Sequence, residues 1–114
     1  MQIVIRGQNV PVSEALIAHG VERVTRAFRP FSSHISRVEL VFVDLNGPKQ
    51  GLGQACRATV DLLGGGHVRY EGRAANYYQA LSQTVAGMAR HIQRKLVRRR
   101  GHVVEGPSTT PPAA

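Results

Sequence analysis

Residues 76–99, NYYQALSQTVAGMARHIQRKLVRR, decide the fold. Tyr78, Leu81, Val85, Met88, Ile92 and Leu96 recur at spacings of three and four, the signature of a helix with one apolar stripe. Gln83, Gly87, Arg90, Arg94 and Arg98 fall on the far side, so the helix is predicted to lie on a flat apolar surface with a basic back. The segments just before it supply that surface. Positions 37–45, rich in Val, Leu and Phe, read as a strand, and 46–53 as a Gly-rich loop. In 54–63, Cys56, Ala58, Val60 and Leu62 alternate with Arg57, Thr59 and Asp61, which predicts a half-buried strand. Gly64-Gly65-Gly66 turns the chain. Positions 67–74 then return with Val68, Tyr70 and Gly72 inward, leaving Arg69, Glu71 and Arg73 outward for cross-strand charge pairs.

Further out, the N-terminus repeats the theme. Residues 1–6 alternate Ile3 and Ile5 against Gln2, Val4 and Arg6, a strand that Gly7-Gln8-Asn9 is expected to end. Ser13 is a good N-cap, Glu14 suits the positive first turn, and Val12 with Ile17 has the spacing of a hydrophobic staple. Leu16, Ile17, Val21, Val24 and Phe28 form the inward stripe of this helix. Gly20 weakens its middle, Pro30 ends it, and Glu22, Arg26 and Arg29 face away.

The order is therefore β-α-β-β-β-α. If the first two strands are parallel neighbours, the helix between them is a right-handed crossover, and the remaining strands are joined as hairpins. A four-stranded sheet with both helices on one face buries every apolar stripe, an α+β two-layer sandwich. The domain spans 1–100. Residues 101–114, rich in Pro and Thr, are expected to form a disordered tail.

With 114 residues, 42% of them hydrophobic and 5% aromatic, the chain is one small domain with an aliphatic core. It has no apolar run long enough to span a membrane and no visible signal peptide, and its lone Cys56 excludes an internal disulfide. The expected location is cytoplasmic. Fifteen Lys and Arg against seven Asp and Glu give a formal charge of +8, which points to a polyanionic partner, nucleic acid or an anionic membrane surface. Nearly all of these cations are arginine, a choice that suits bidentate phosphate contact and that a GC-rich genome would also produce.

The charge is concentrated. No acidic residue occurs from Gly72 to Val104, a span that holds Arg73, Arg90, Arg94, Lys95, Arg98, Arg99 and Arg100. Two or three cations at a helix C-terminus would only complement its dipole; six from Arg90 to Arg100 exceed that need and predict a phosphate-binding strip. Arg23, Arg26 and Arg29 add a second basic helix face, predicting one basic surface with a groove between the helices. Such a surface suits structured RNA recognised through phosphates and shape. Tyr77 is placed at the core edge. Enzymatic readings find no support. The Gly64-Gly65-Gly66-His67 turn lacks a P-loop's Lys-Ser/Thr ending, and His19, His34, His67, His91 and His102 show no metal-ligand spacing. Cys56 has no nearby His, so no catalytic residue, metal or cofactor is expected.

The segments Ile3-Val4-Ile5-Arg6-Gly7-Gln8-Asn9-Val10, Val12-Ser13-Glu14-Ala15-Leu16 and Asn76-Tyr77-Tyr78-Gln79-Ala80-Leu81, with Arg23/Arg26/Arg29, resemble the ribosome hibernation-promoting factor and ribosome-associated inhibitor family, also called sigma-54 modulation proteins. The resemblance covers roughly residues 1–100. It implies a double-stranded-RNA-binding-domain-like fold and a non-enzymatic translation inhibitor. Such a protein binds the small ribosomal (30S) subunit and its rRNA near the decoding centre, where it blocks mRNA and tRNA sites. Arg23, Arg26, Arg29, Arg90 and Arg94 inherit the family's rRNA-binding role by position. Lys95, Arg98 and Arg99 join them on charge density. Relatives usually carry Asp and Met where Asn76 and Tyr77 stand, and often a basic residue where Gly87 stands. The chain has the look of a short form without the C-terminal dimerising domain of long relatives. A general RNA-binding or RNA-chaperone module, or a protein-interaction modulator of transcription, are the alternatives; salt and ribonuclease sensitivity separate the last from the others.

Overall fold

The computed structural model describes residues 1–45 and 53–104, positions 100–104 through their backbone alone. The elements are β1 (Gln2–Gln8), α1 (Glu14–Phe28), a 3₁₀ segment (Arg29–His34), β2 (Ile35–Asp44), β3 (Gln54–Leu62), β4 (His67–Ala74) and α2 (Tyr77–Val104). The expected loop at 46–53 lies almost wholly outside the described residues, as does the expected tail from 105 onward. The last helix runs past the expected boundary at 100.

The sheet order is β1-β2-β3-β4. β1 runs parallel to β2, so α1 is the crossover of a βαβ unit, and β2-β3-β4 form an antiparallel meander. Leu16, Val24 and Phe28 of α1, Leu81, Val85, Met88 and Ile92 of α2, and the inward residues of β2, β3 and β4 share one continuous core. Both helices therefore pack on the same sheet face, as the stripes require. Ser13 caps α1 by accepting a hydrogen bond from the Leu16 amide at 3.1 Å, and Asn76 caps α2 by accepting from the Gln79 amide at 2.9 Å.

Several expectations need correction. β1 continues through Gln8, with Gly7 paired to Phe42 and Gln8 to Val43, and the chain turns at Asn9 in the left-handed region (φ 61°). Asn adopts that region more readily than most residues, so the break comes later than Gly7. Val21 is exposed, and the buried face of α1 is Leu16, Gly20, Val24 and Phe28. Gly20 belongs to that face because a Cβ there would come within 2.8 Å of Ile5 Cδ1. Tyr78 leaves the inward stripe of α2: it is exposed and meets the His19 ring edge-on at 5.1 Å. Tyr77 takes the core edge instead, T-shaped against Phe42 at 5.3 Å. Gly87 is not on the solvent side. It is buried, and a Cβ would fall 2.2 Å from the Tyr70 ring.

Two glycines thus set how closely α2 sits on β4. A Cβ at Gly72 would lie 2.5 Å from Thr84 Oγ1 and 3.0 Å from the Ala80 carbonyl oxygen. In the space this leaves, the fully buried Thr84 hydroxyl lies 2.9 Å from the Cys56 carbonyl of β3 and 2.7 Å from the Ala80 carbonyl of its own helix. The outer face of the sheet, expected to be mainly charged, carries a small apolar group, Val41, Val43 and Ala55. Arg6 and Arg57 flank Val41 in register, so their aliphatic stems can lie over it while their heads reach water.

Two outcomes follow from this packing. Gly72→Ala forces α2 off β4 and is expected to lower stability by about 1–3 kcal/mol, measured by urea denaturation. Burial pushes the Cys56 thiol from its ordinary 9.0 up to about 12, against a smaller opposite effect of the Thr84 hydrogen bond. The unfolded chain therefore loses this proton first. The thiol's contribution to stability is whole below pH 9.0 and falls as pH rises toward about 12, and native protein at pH 8 should leave Cys56 unlabelled by a thiol reagent until it is unfolded.

Candidate nucleic-acid interface

Two glutamates of the sheet, Glu39 and Glu71, are committed to arginines on its outer face. Glu39 holds Arg6 at 3.0 Å and Arg37 at 3.8 Å. Glu71 holds Arg57 at 2.8 Å and Arg73 at 2.7 Å. The hydrogen bond from Arg73 holds the Glu71 carboxyl below its ordinary value, partial burial opposes it, and the bond from Arg57 reinforces it. This is the cross-strand charge lattice the alternation of β3 and β4 predicts. On α1, Glu22 takes Arg26 at 2.6 Å, one helical turn apart.

The α2 cations are treated differently. Among the described residues, Arg90, Arg94, Lys95 and Arg98 enter no ion pair. Arg90, Arg94 and Arg98 line one shallow surface around the exposed Val97 and Gln93. Arg94, Lys95 and Arg98 also border a second depression, which they share with His91 and with His67 and Arg69 of β4. Neither depression includes an α1 residue. The flank of α1 that meets α2 does so through His19 against Tyr78 and Gly20 near Leu81. Of the arginines expected on α1, Arg23 is half-buried and Arg26 is held by Glu22, whereas Arg29 lies just past the helix as the first residue of the 3₁₀ segment and is exposed. Arg23 and Arg29 have no ion pair among the described residues.

Arg99 has a different partner from its neighbours. Its guanidinium donates to the Leu63 carbonyl at 3.2 Å and to the Gly65 carbonyl, the turn between β3 and β4. That turn carries Gly64, Gly65 and Gly66 all at positive φ (89°, 104° and 91°), a path only glycine follows without strain. A helix of 28 residues is about 42 Å long, against about 33 Å for the ten-residue β2. The far turns of α2 therefore reach the hairpin end of the sheet, where Arg99 ties them down. Periodicity identified the α2 strip. Arg69, His67 and His91 escaped it because they come from a separate strand or sit singly on the helix, with no pattern of their own in the sequence.

Among the described residues, no three His, Cys, Asp or Glu side chains come together as metal ligands, and no helix is long and apolar enough to cross a membrane. Residues 3–100 match the family model described as Sigma 54 modulation protein / S30EA ribosomal protein. No curated protein matches the chain. Among solved structures, a ribosomal subunit interface protein from Coxiella burnetii is similar at 19% identity and TM-score 0.71, over 83% of this chain and 97% of that one. The N-terminal domain of Protein Y from Thermus thermophilus is similar at 23% identity and TM-score 0.66, over 82% of this chain and 98% of that one. At these identities the two structures bear on the fold, which they share.

Arg99→Ala should release the C-terminal turns of α2 from the hairpin. Amide hydrogen exchange is expected to accelerate over residues 95–100 while exchange in the α2 segment around Val85 and Met88 stays unchanged.

Proposed function

Because the chain belongs to the Sigma 54 modulation protein / S30EA ribosomal protein family, we propose that it is a ribosome-associated hibernation factor that binds small-subunit rRNA near the decoding centre and blocks the mRNA and tRNA sites. The observation that carries this reading is the row Arg90, Arg94, Lys95 and Arg98. It stands on one rigid helix, in a stretch of sequence without a carboxylate, and has no ion pair among the described residues. Charges left unpaired in this way cost repulsion in the free protein, and an external polyanion relieves it. Phosphates of folded RNA fit, because a rigid row of guanidinium groups makes charge-assisted contacts at fixed spacing. Arg23 of α1 and Arg29 of the 3₁₀ segment that follows it extend the basic surface, and Arg26 joins once Glu22 releases it.

In this reading the protein acts by occupancy. No bond is made or broken; the inhibitor fills a cleft that mRNA and tRNA need, in the cytoplasm and under conditions that idle ribosomes. Arg99 serves the site indirectly by holding the far end of α2 in place. The general RNA-binding alternative predicts equal affinity for subunits and for arbitrary duplex RNA, which a direct competition measures.

Replacing Arg90, Arg94 and Arg98 together by Glu is expected to abolish cosedimentation with small subunits while the circular dichroism spectrum is retained. With about six phosphate contacts, wild-type affinity should fall by about 10³ between 50 and 200 mM salt. Unchanged sedimentation of the triple variant would remove α2 from the interface.

A further inference from the structure

The depression between α2 and β4 has features that the crest of α2 lacks. It encloses about 330 Å³, and its polar rim is formed by His67 and Arg69 on the strand and His91, Arg94, Lys95 and Arg98 on the helix. No carboxylate lines it. The contrast with the sheet face beside it is sharp. Arg73, on the same strand and pointing outward like Arg69, is bound by Glu71, and Arg6, Arg37 and Arg57 are likewise paired. Arg69 sits opposite Thr59 and has no ion pair among the described residues. Asp61 is opposite His67 in the register and makes no ion pair among the described residues. Arg69 also borders the outer sheet face beside Glu39 and Glu71, but those carboxylates are taken by Arg6, Arg37, Arg57 and Arg73.

We propose that this cleft holds the sugar-phosphate backbone of a single RNA strand, with Arg69 as a binding residue in addition to the helix arginines. The proposal rests on the ribosomal reading for its ligand class but adds a site that the reading does not contain. Three physical features support it. Possible phosphate donors on the two walls repeat at similar intervals, about 6 Å for Arg94 to Arg98 along one helical turn and about 6.7 Å for His67 to Arg69 along the strand. A chain of phosphates lying lengthwise therefore meets charge from both sides. β4 is also an edge strand, whose outward N–H groups are unpaired in the sheet. Backbone N–H groups are common phosphate donors, and flanking Lys and Arg discourage another protein strand from pairing there. The walls, finally, are fixed relative to each other. The Tyr70 ring packs on Gly87 and meets the His91 ring edge-on at 5.2 Å, so the cations are preorganised before RNA arrives.

The test compares full-length wild type with R69Q, R69K and R73Q, each checked by circular dichroism. Each protein is titrated against purified small ribosomal subunits and, separately, against a labelled unstructured oligoribonucleotide at several salt concentrations. R69Q and R73Q each remove one outward charge from β4, but only Arg69 lines the cleft. R69Q is expected to bind the oligoribonucleotide about tenfold more weakly, with a salt slope shallower by about one; R69K should recover part of the loss, and R73Q should stay within about twofold of wild type. Equal losses in R69Q and R73Q, or no loss in R69Q, would overturn the cleft. Arg69-dependent binding of the oligoribonucleotide by a protein that ignores ribosomal subunits would sink the ribosomal reading and leave the cleft standing. Binding to neither probe overturns both.

Discussion

The seat of α2 on β3 and β4 is the constraint on which the rest depends. Gly72 and Gly87 remove the two side chains that would hold helix and sheet apart, and Tyr70 and the Thr84 hydroxyl occupy the space they leave. A hydroxyl buried this completely needs partners, and it finds them in the carbonyls of Cys56 and Ala80. These contacts fix the rotation of α2 about its axis. With Gly87 turned toward Tyr70, the next three turns on that side bring His91, Arg94 and Arg98 beside the edge of β4. A small rotation would move the same arginines to open solvent or toward α1. The placement of these arginines is thus decided by uncharged packing at Gly72, Gly87 and Thr84.

Electrostatics supply the second organising principle. The protein is strongly basic, yet its few carboxylates are not spread evenly. Glu39 and Glu71 each hold two arginines on the outer sheet face, and Glu22 holds Arg26. Exposed ion pairs of this kind add little to stability, but they quiet one surface. Among the described residues, uncompensated charge is left mainly on α2, with Arg69 on β4, Arg23 on α1 and Arg29 just past its end adding to it. A polyanion approaching the molecule therefore meets a directional field, and orientation comes with the charge distribution.

Arg99 shows how one charge run can hold two kinds of residue. In the sequence it is indistinguishable from Arg98, its neighbour in a run of arginines. One hundred degrees further around the helix, its guanidinium meets the carbonyls of a three-glycine turn whose backbone is bent by positive φ. Arg98 faces the cleft; Arg99 braces the helix that carries it.

Sequence alone determined the β-α-β-β-β-α order, the Ser13 cap of α1, the inward alternation of β3 and the basic far side of α2. These depend on local periodicity and on capping chemistry, which neighbouring residues fix among themselves. It also carried enough of the family's pattern for membership to be expected. It misplaced Val21, Tyr78 and Gly87, because a helical wheel gives the angle between residues but not the tilt at which a helix meets a sheet. Close approach at Gly20, Gly72 and Gly87 sets that tilt. The joining of Arg69 and His67 to Arg94 and Arg98 was decided only in three dimensions: strand and helix cations more than twenty positions apart become neighbours once two glycines let their backbones come together.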